Sequence, residues 1–125
     1  MDQGIQENMT REQMEEYLSN YRYGARLLKM NKYEKEFYDS NYSKALNAED
    51  EALVKAKMFE IKMFVTSLPP DDRKLFLYYY YIKGKTVERC GELLGVSRRT
   101  ASRIKNRALD YAAAKYKKFT RRAIE

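Results

Sequence analysis

The only two prolines of the chain stand side by side at Pro69-Pro70, and just five glycines are spread over its 125 residues. Proline removes a backbone donor and clashes with the preceding turn, so a chain this poor in breakers can run in long helices on either side of one fixed stop. The stop also divides the charge. Residues 1–68 hold 10 Lys and Arg against 12 Asp and Glu, whereas residues 69–125 hold 15 against 6, within a net charge of +7. A near-neutral stretch followed by a strongly basic one is the electrostatic pattern expected when one part meets a polyanion and the other does something else. A solvated basic face without a partner gives the same charge pattern, so the residues themselves must decide.

Helical signals fill both sides. Thr10-Arg11-Glu12-Gln13 has the form of a capping box, and Met14, Leu18, Tyr21, Ala25 and Leu28 follow it in a four-three rhythm, the stripe of an amphipathic helix. Gly24 lies inside this stripe, either as a weak point or as a place for close helix approach. The pattern blurs at Asp39 to Ser43, where Asp, Ser and Asn favour a turn. Asn47 can cap a second helix with Glu49, Asp50 and Glu51 on its positive end, and Val54, Met58, Ile61, Val65 and Leu68 repeat the rhythm, with Leu53 and Phe64 widening the face. The two stripes leave two uses open: an antiparallel pair within the chain, or a seam between chains through residues such as Met58 and Ile61.

After the stop, Pro70 fits a first helical turn with Asp71 and Asp72 complementing the dipole, and Leu75 to Ile82 forms an apolar helix ended by Gly84. Four consecutive tyrosines, Tyr78 to Tyr81, cannot all point inward; amphipathic packing and base stacking are both open to them. Thr86 then caps a short helix, Val87 to Leu94, and Gly95-Val96-Ser97 leads into a long basic one. Gly91 suits a close helix crossing, Gly95 the positive φ of a turn, Val96 its plug, and Ser97 the next cap. With Leu94, Ala101, Ile104 and Ala108 inward, the outward side chains are Ser97, Arg98, Arg99, Ser102, Arg103 and Asn106. Residues 97–107 carry five basic residues and no acid, which fits a helix laid against phosphates and guanine edges in a major groove. The pattern is a helix-turn-helix. Its expected DNA-binding residues are Thr86, Ser97, Arg98, Arg99, Ser102, Arg103, Lys105, Asn106 and Arg107.

Residues 68–109, from Leu-Pro-Pro-Asp-Asp-Arg through Gly-Glu-Leu-Leu-Gly-Val-Ser-Arg-Arg-Thr-Ala-Ser-Arg-Ile-Lys-Asn-Arg-Ala-Leu, resemble region 4 of bacterial sigma factors, the part that reads the −35 promoter element. Arg99 stands where many sigma factors place an acidic base-reading residue, and Ala101 replaces a branched aliphatic. Nothing upstream resembles the sigma regions that bind the −10 element and melt DNA. Across about residues 50–116, and most of all in Val87-Glu88-Arg89-Cys90 and Ser97 to Lys105, the chain is also similar to the RinA/ArpU-like regulators of phages and prophages. That resemblance implies activation of late genes by promoter binding.

The expected fold is therefore all-α: an N-terminal helical pair for assembly or interaction (1–68), then a sigma region 4-like three-helix helix-turn-helix domain (69–125). The expected function is a sequence-specific transcription regulator whose partners are double-stranded DNA, a second copy or more of itself and, as a further candidate, RNA polymerase. Two other readings use the same features: a small terminase subunit-like DNA-packaging protein, and a polymerase-binding module whose basic helix docks on an acidic protein. No enzyme, cofactor or metal site is expected, because the chain has no His and one Cys, which excludes His-containing triads and Cys clusters. Cys90 reads as a small buried apolar residue. The acidic first twenty residues lack the form of a signal peptide, the longest apolar run is far short of the roughly 20 residues that span a bilayer, and the unpaired Cys suits a reducing cytoplasm.

Overall fold

In the computed structural model the described residues are 9–37 and 46–124, and every regular element among them is helical. Helix α1 spans Arg11–Phe37, α2 Ala48–Thr66, α3 Asp72–Leu77, α4 Val87–Leu94 and α5 Arg98–Ile124; α3 runs on into one π-helical turn, Tyr78–Ile82. The expected turn at Asp39 to Ser43 lies outside the described residues.

The helix starts follow from local hydrogen bonds. Thr10 Oγ1 accepts from the Gln13 amide at 3.0 Å while Gln13 Oε1 accepts from the Thr10 amide at 2.9 Å, a reciprocal capping box. Asn47 Oδ1 accepts from the Asp50 amide at 2.7 Å. Pro70 stands outside α3 and not in its first turn: Asp71 is the cap, its carboxylate accepting from the amides of Arg73 and Lys74, donors that the first turn of a helix leaves without an intrahelical partner. Helix α2 stops at Thr66, two residues short of its apolar stripe, because the residue before Pro69 is kept out of the helical region; Leu68 is nevertheless buried.

The first two helices pair antiparallel. Buried Asn31 meets the start of α2 through the Leu46 amide and Glu51, Gly24 faces Val54 and Met58, and Tyr17 donates to Glu60 Oε2 at 2.7 Å and packs edge-on to Phe64. A Cβ on Gly24 would stand 2.9 Å from Met58 Cγ, so this glycine sits at a close approach of the two helices. The stripes are spent inside the chain. Ile61 is wholly buried, which removes it from any seam between chains, and Met58 is partly buried against Gly24. Two expected members face out instead, Ala25 on α1 and Leu53 on α2, while Tyr17 joins the core.

One apolar core crosses the Pro-Pro stop. Met14 and Leu18 of α1, Ile61, Phe64 and Val65 of α2, Leu77 and Tyr81, and Ala108, Leu109, Ala112 and Ala113 of α5 form a single cluster. The helical pair is thereby bound to the long last helix, which at 27 residues is about 40 Å long. A second cluster of Phe76, Cys90, Ala101 and Ile104 fills the space beneath α4, with Leu94 and Val96 packed at its edge. Burial raises the pKa of the Cys90 thiol, consistent with a packing role.

The tyrosine run is resolved by the π-helical turn, which the sequence reading did not anticipate. The Lys83 amide donates to the Tyr78 carbonyl at 2.9 Å, five residues back, and the segment ends at Gly84 with φ of 70°. Tyr81 is buried and donates to Glu15 at 3.3 Å; Tyr80 stacks on Phe76 with centroids 5.5 Å apart.

Candidate nucleic-acid interface

Helices α4 and α5 are joined by a turn whose every position has a physical reason. Thr86 Oγ1 accepts from the Arg89 amide at 3.1 Å and starts α4. At its end Gly95 has φ of 73°, its amide donates to the Glu92 carbonyl, and the Val96 amide donates to the Gly91 carbonyl at 2.8 Å, the two bonds of a Schellman motif. Val96 turns into the second core cluster, and Ser97 Oγ accepts from the Thr100 amide at 3.2 Å to start α5. A Cβ on Gly91 would lie 3.0 Å from the Val96 carbonyl oxygen and 3.3 Å from the Ala101 Cβ, so a glycine here sets the crossing distance of the two helices.

With Ala101, Ile104 and Ala108 buried, the opposite side of α5 is presented outward. Arg98, Arg99, Ser102, Arg103, Asn106 and Arg107 are all exposed, and Arg99, Arg103 and Asn106 share one row at helical spacing. Thr86 and Ser97 are exposed at the starts of α4 and α5, with their hydroxyls already engaged as caps. Lys105 is placed differently from the others. Its side chain is only 21% exposed, its ammonium lies 3.1 Å from Glu15 Oε2 and 4.8 Å from the centre of the Tyr80 ring, and it ties α5 to α1 away from the outward row. A carboxylate close in space but 90 residues away in sequence decides this.

The outward row runs on to Asp110, one turn beyond Asn106. Its charge would oppose a phosphate backbone, but Arg11 covers it in a bidentate pair, Nε to Oδ1 at 2.9 Å and Nη2 to Oδ2 at 2.8 Å. The Arg11 guanidinium holds the Asp110 carboxyl below the usual carboxylate range. Asp71 is held low in the same way, by its hydrogen bond to Arg73. A group with a depressed folded pKa contributes stability above its unfolded value, about 3.9, and loses it as pH falls through the lower folded value. Both contributions are therefore constant near neutrality. With no His in the chain, no side chain has an ordinary pKa near 6.5. Duplex affinity at fixed ionic strength is thus expected to be flat between about pH 5.5 and 7. Fluorescence anisotropy titrations check this, and a tenfold change across the window would contradict it.

Helix α1 adds a basic feature that the sequence reading missed. Arg22 and Arg26, one turn apart, line a cleft of about 260 Å³ together with Lys83, Gly84, Tyr21 and Tyr81, and among the described residues no acid lines it. The Arg22 guanidinium stands 5.0 Å over the Tyr80 ring. Gly84 is two residues from Thr86, at most about 7 Å along the chain, so the cleft adjoins the start of α4. The signal was present as an i, i+4 pair of arginines, but it was hidden in a regional net charge of −2 that the acids elsewhere in residues 1–68 produce.

Residues 65–111 match the family model for sigma-70, region 4. The match begins in the last turn of α2 and ends at Tyr111 within α5, so it takes in α3, the π-helical turn, α4 and the outward row. No curated protein and no solved structure matches the chain. No helix among the described residues is long and apolar enough to cross a membrane.

Proposed function

We propose that this chain, with its sigma region 4-like helix-turn-helix, is a sequence-specific transcription regulator that binds promoter DNA in the manner of the RinA/ArpU-like late-gene regulators of phages. The observation that carries the reading is the outward row of α5, where Arg99, Arg103 and Asn106 are exposed and, among the described residues, Arg99 and Arg103 have no acidic partner, and where the one acid in the row is neutralised by Arg11. The helical N-terminal pair ahead of the helix-turn-helix supports the comparison with the phage regulators, and RNA polymerase is a second partner in keeping with the sigma-like fold.

In this reading Arg99 and Arg103 read base edges, with Asn106 suited to an adenine. Arg98 and Arg107 flank the row and hold phosphates. Thr86 and Ser97 place the amide ends of α4 and α5 toward the backbone, and the Arg22–Arg26–Lys83 cleft extends the phosphate contact past α4. Lys105 acts indirectly, by fixing α5 against α1.

The test is to recover preferred sites from a random duplex library and from the genome that encodes the protein, then to compare variants on the selected site and on an unrelated duplex. Arg99→Ala is expected to lower affinity for the selected site by about 1–3 kcal/mol while leaving non-specific binding nearly unchanged, whereas Arg98→Ala should weaken both alike. Equal losses on both duplexes for Arg99→Ala would make it a backbone contact. Sites beside late-gene promoters support regulation; a single site inside a packaging gene would overturn it.

A further inference from the structure

Helix α2 is apolar on two opposite faces, and the intramolecular core uses one of them. On the other, Ala52, Ala56, Phe59 and Met63 follow a four-three-four spacing and are all exposed, Phe59 by 65% and Met63 by 47%; Leu53 stands beside them, exposed by 65%. This is the a/d rhythm of a coiled-coil seam, on the far side of the helix from buried Ile61 and Val65. No described residue covers it.

The charges beside the seam identify what does. Setting Ala56 and Met63 at a and Ala52 and Phe59 at d puts Lys55 and Lys62 at g and Glu60 at e. In a parallel pair of helices g faces the e position of the next heptad, so Lys55 of one copy meets Glu60 of the other, twice by symmetry. In an antiparallel pair g faces g, which sets Lys55 against Lys62. Lys55 is 63% exposed with only a loose 3.4 Å contact to Glu51 in its own helix; Glu60 is 45% exposed, and although its Oε2 accepts from Tyr17 and lies 3.6 Å from Lys57, its second oxygen is left to meet Lys55 of the other copy.

We infer that a second copy of this chain docks here, α2 against α2 in parallel. The two-fold axis then runs along α2, and both chains enter Pro69-Pro70 and the helix-turn-helix at the same end of the dimer. The self-association stands apart from DNA binding; its consequence, two reading heads presented together to two half-sites, rests on the proposed function. Two heptads containing two alanines make a weak seam, so the dimer forms reversibly and is reinforced when both heads engage DNA.

Sedimentation equilibrium on the full chain without DNA tests this. The wild type should show a concentration-dependent monomer–dimer equilibrium. Phe59→Glu should be monomeric with an unchanged circular dichroism spectrum, because the replaced side chain is largely in solvent. Lys55→Glu should weaken the dimer by about tenfold, as two attractive pairs become repulsive, and Glu60→Gln, which keeps an acceptor for the Tyr17 hydroxyl, should weaken it by less. A wild type that stays monomeric at its highest soluble concentration, or a Phe59→Glu variant that dimerises as before, overturns the seam; a Lys55→Glu variant that dimerises more tightly overturns the parallel arrangement. Because the readout contains no DNA, failure of the promoter-binding reading would leave these results intact.

Discussion

Raising the salt from about 50 to 200 mM is expected to weaken binding to any duplex by roughly 500-fold, if five phosphates are neutralised at a log-log slope of about −0.9 each. The five cations are Arg98 and Arg107 beside the outward row of α5 and Arg22, Arg26 and Lys83 in the cleft. Arg99 and Arg103 are left out because their proposed partners are bases. Each cleft cation can be removed singly: Arg26→Gln and Lys83→Gln should each make the slope shallower by about 0.9 and cost affinity on specific and unrelated DNA alike. Lys105→Gln should not change the slope by that amount, since its ammonium is engaged by Glu15 and Tyr80. The measurement is a series of anisotropy titrations over salt. A flat response would sink the basic surface as a DNA interface, and a steep wild-type slope unchanged by the cleft variants would move the phosphates elsewhere.

Gly91→Val is expected to destabilise the folded protein by about 3 kcal/mol and to abolish specific binding. Two terms compete at this position. Replacing a helical glycine gains up to about 1 kcal/mol of helix propensity for alanine and less for a β-branched residue. Against this, even a bare Cβ would be 3.0 Å from the Val96 carbonyl oxygen and 3.4 Å from that of Ser97, both backbone atoms of the turn that starts α5. Alanine should come out near neutral. The γ-methyls of valine must push α4 from α5, opening the Phe76, Cys90 and Ala101 cluster and moving the reading helix relative to the rest. Gly24 provides the control. A Cβ there would also be close, 2.9 Å from Met58 Cγ, 3.0 Å from its sulfur and 3.2 Å from Val54 Cγ1, but these are side-chain atoms and not the backbone of a turn, so Gly24→Ala should cost less than Gly91→Val. Urea unfolding reads both: the midpoint should fall for Gly91→Val with the slope retained, and fall less for Gly24→Ala. If Gly91→Val bound its site normally, the helix crossing would not set the position of α5.

Local chemistry within short stretches of the chain sets where most of the helices begin and how the reading turn is built. Thr10 with Gln13, Asn47, Thr86 and Ser97 each bond an amide three residues away, and Gly95 closes α4 through atoms within five residues, so the chemistry that fixes these points is contained in a short stretch of chain. The outward row of α5 was legible for a related reason: helical periodicity gives the direction of each side chain relative to the apolar face. Direction does not give a neighbour. That Lys105 is held by Glu15, that Arg11 covers Asp110 across 99 residues, and that Arg22 and Arg26 meet Lys83 depend on how α1 lies along α5, which the shared core decides. The same holds for α2, where two apolar stripes compete for one core. The intramolecular packing of Ile61, Phe64 and Val65 against α1 and α5 selects one and leaves Phe59 and Met63 outside, because the described helices pack against α2 on that side alone.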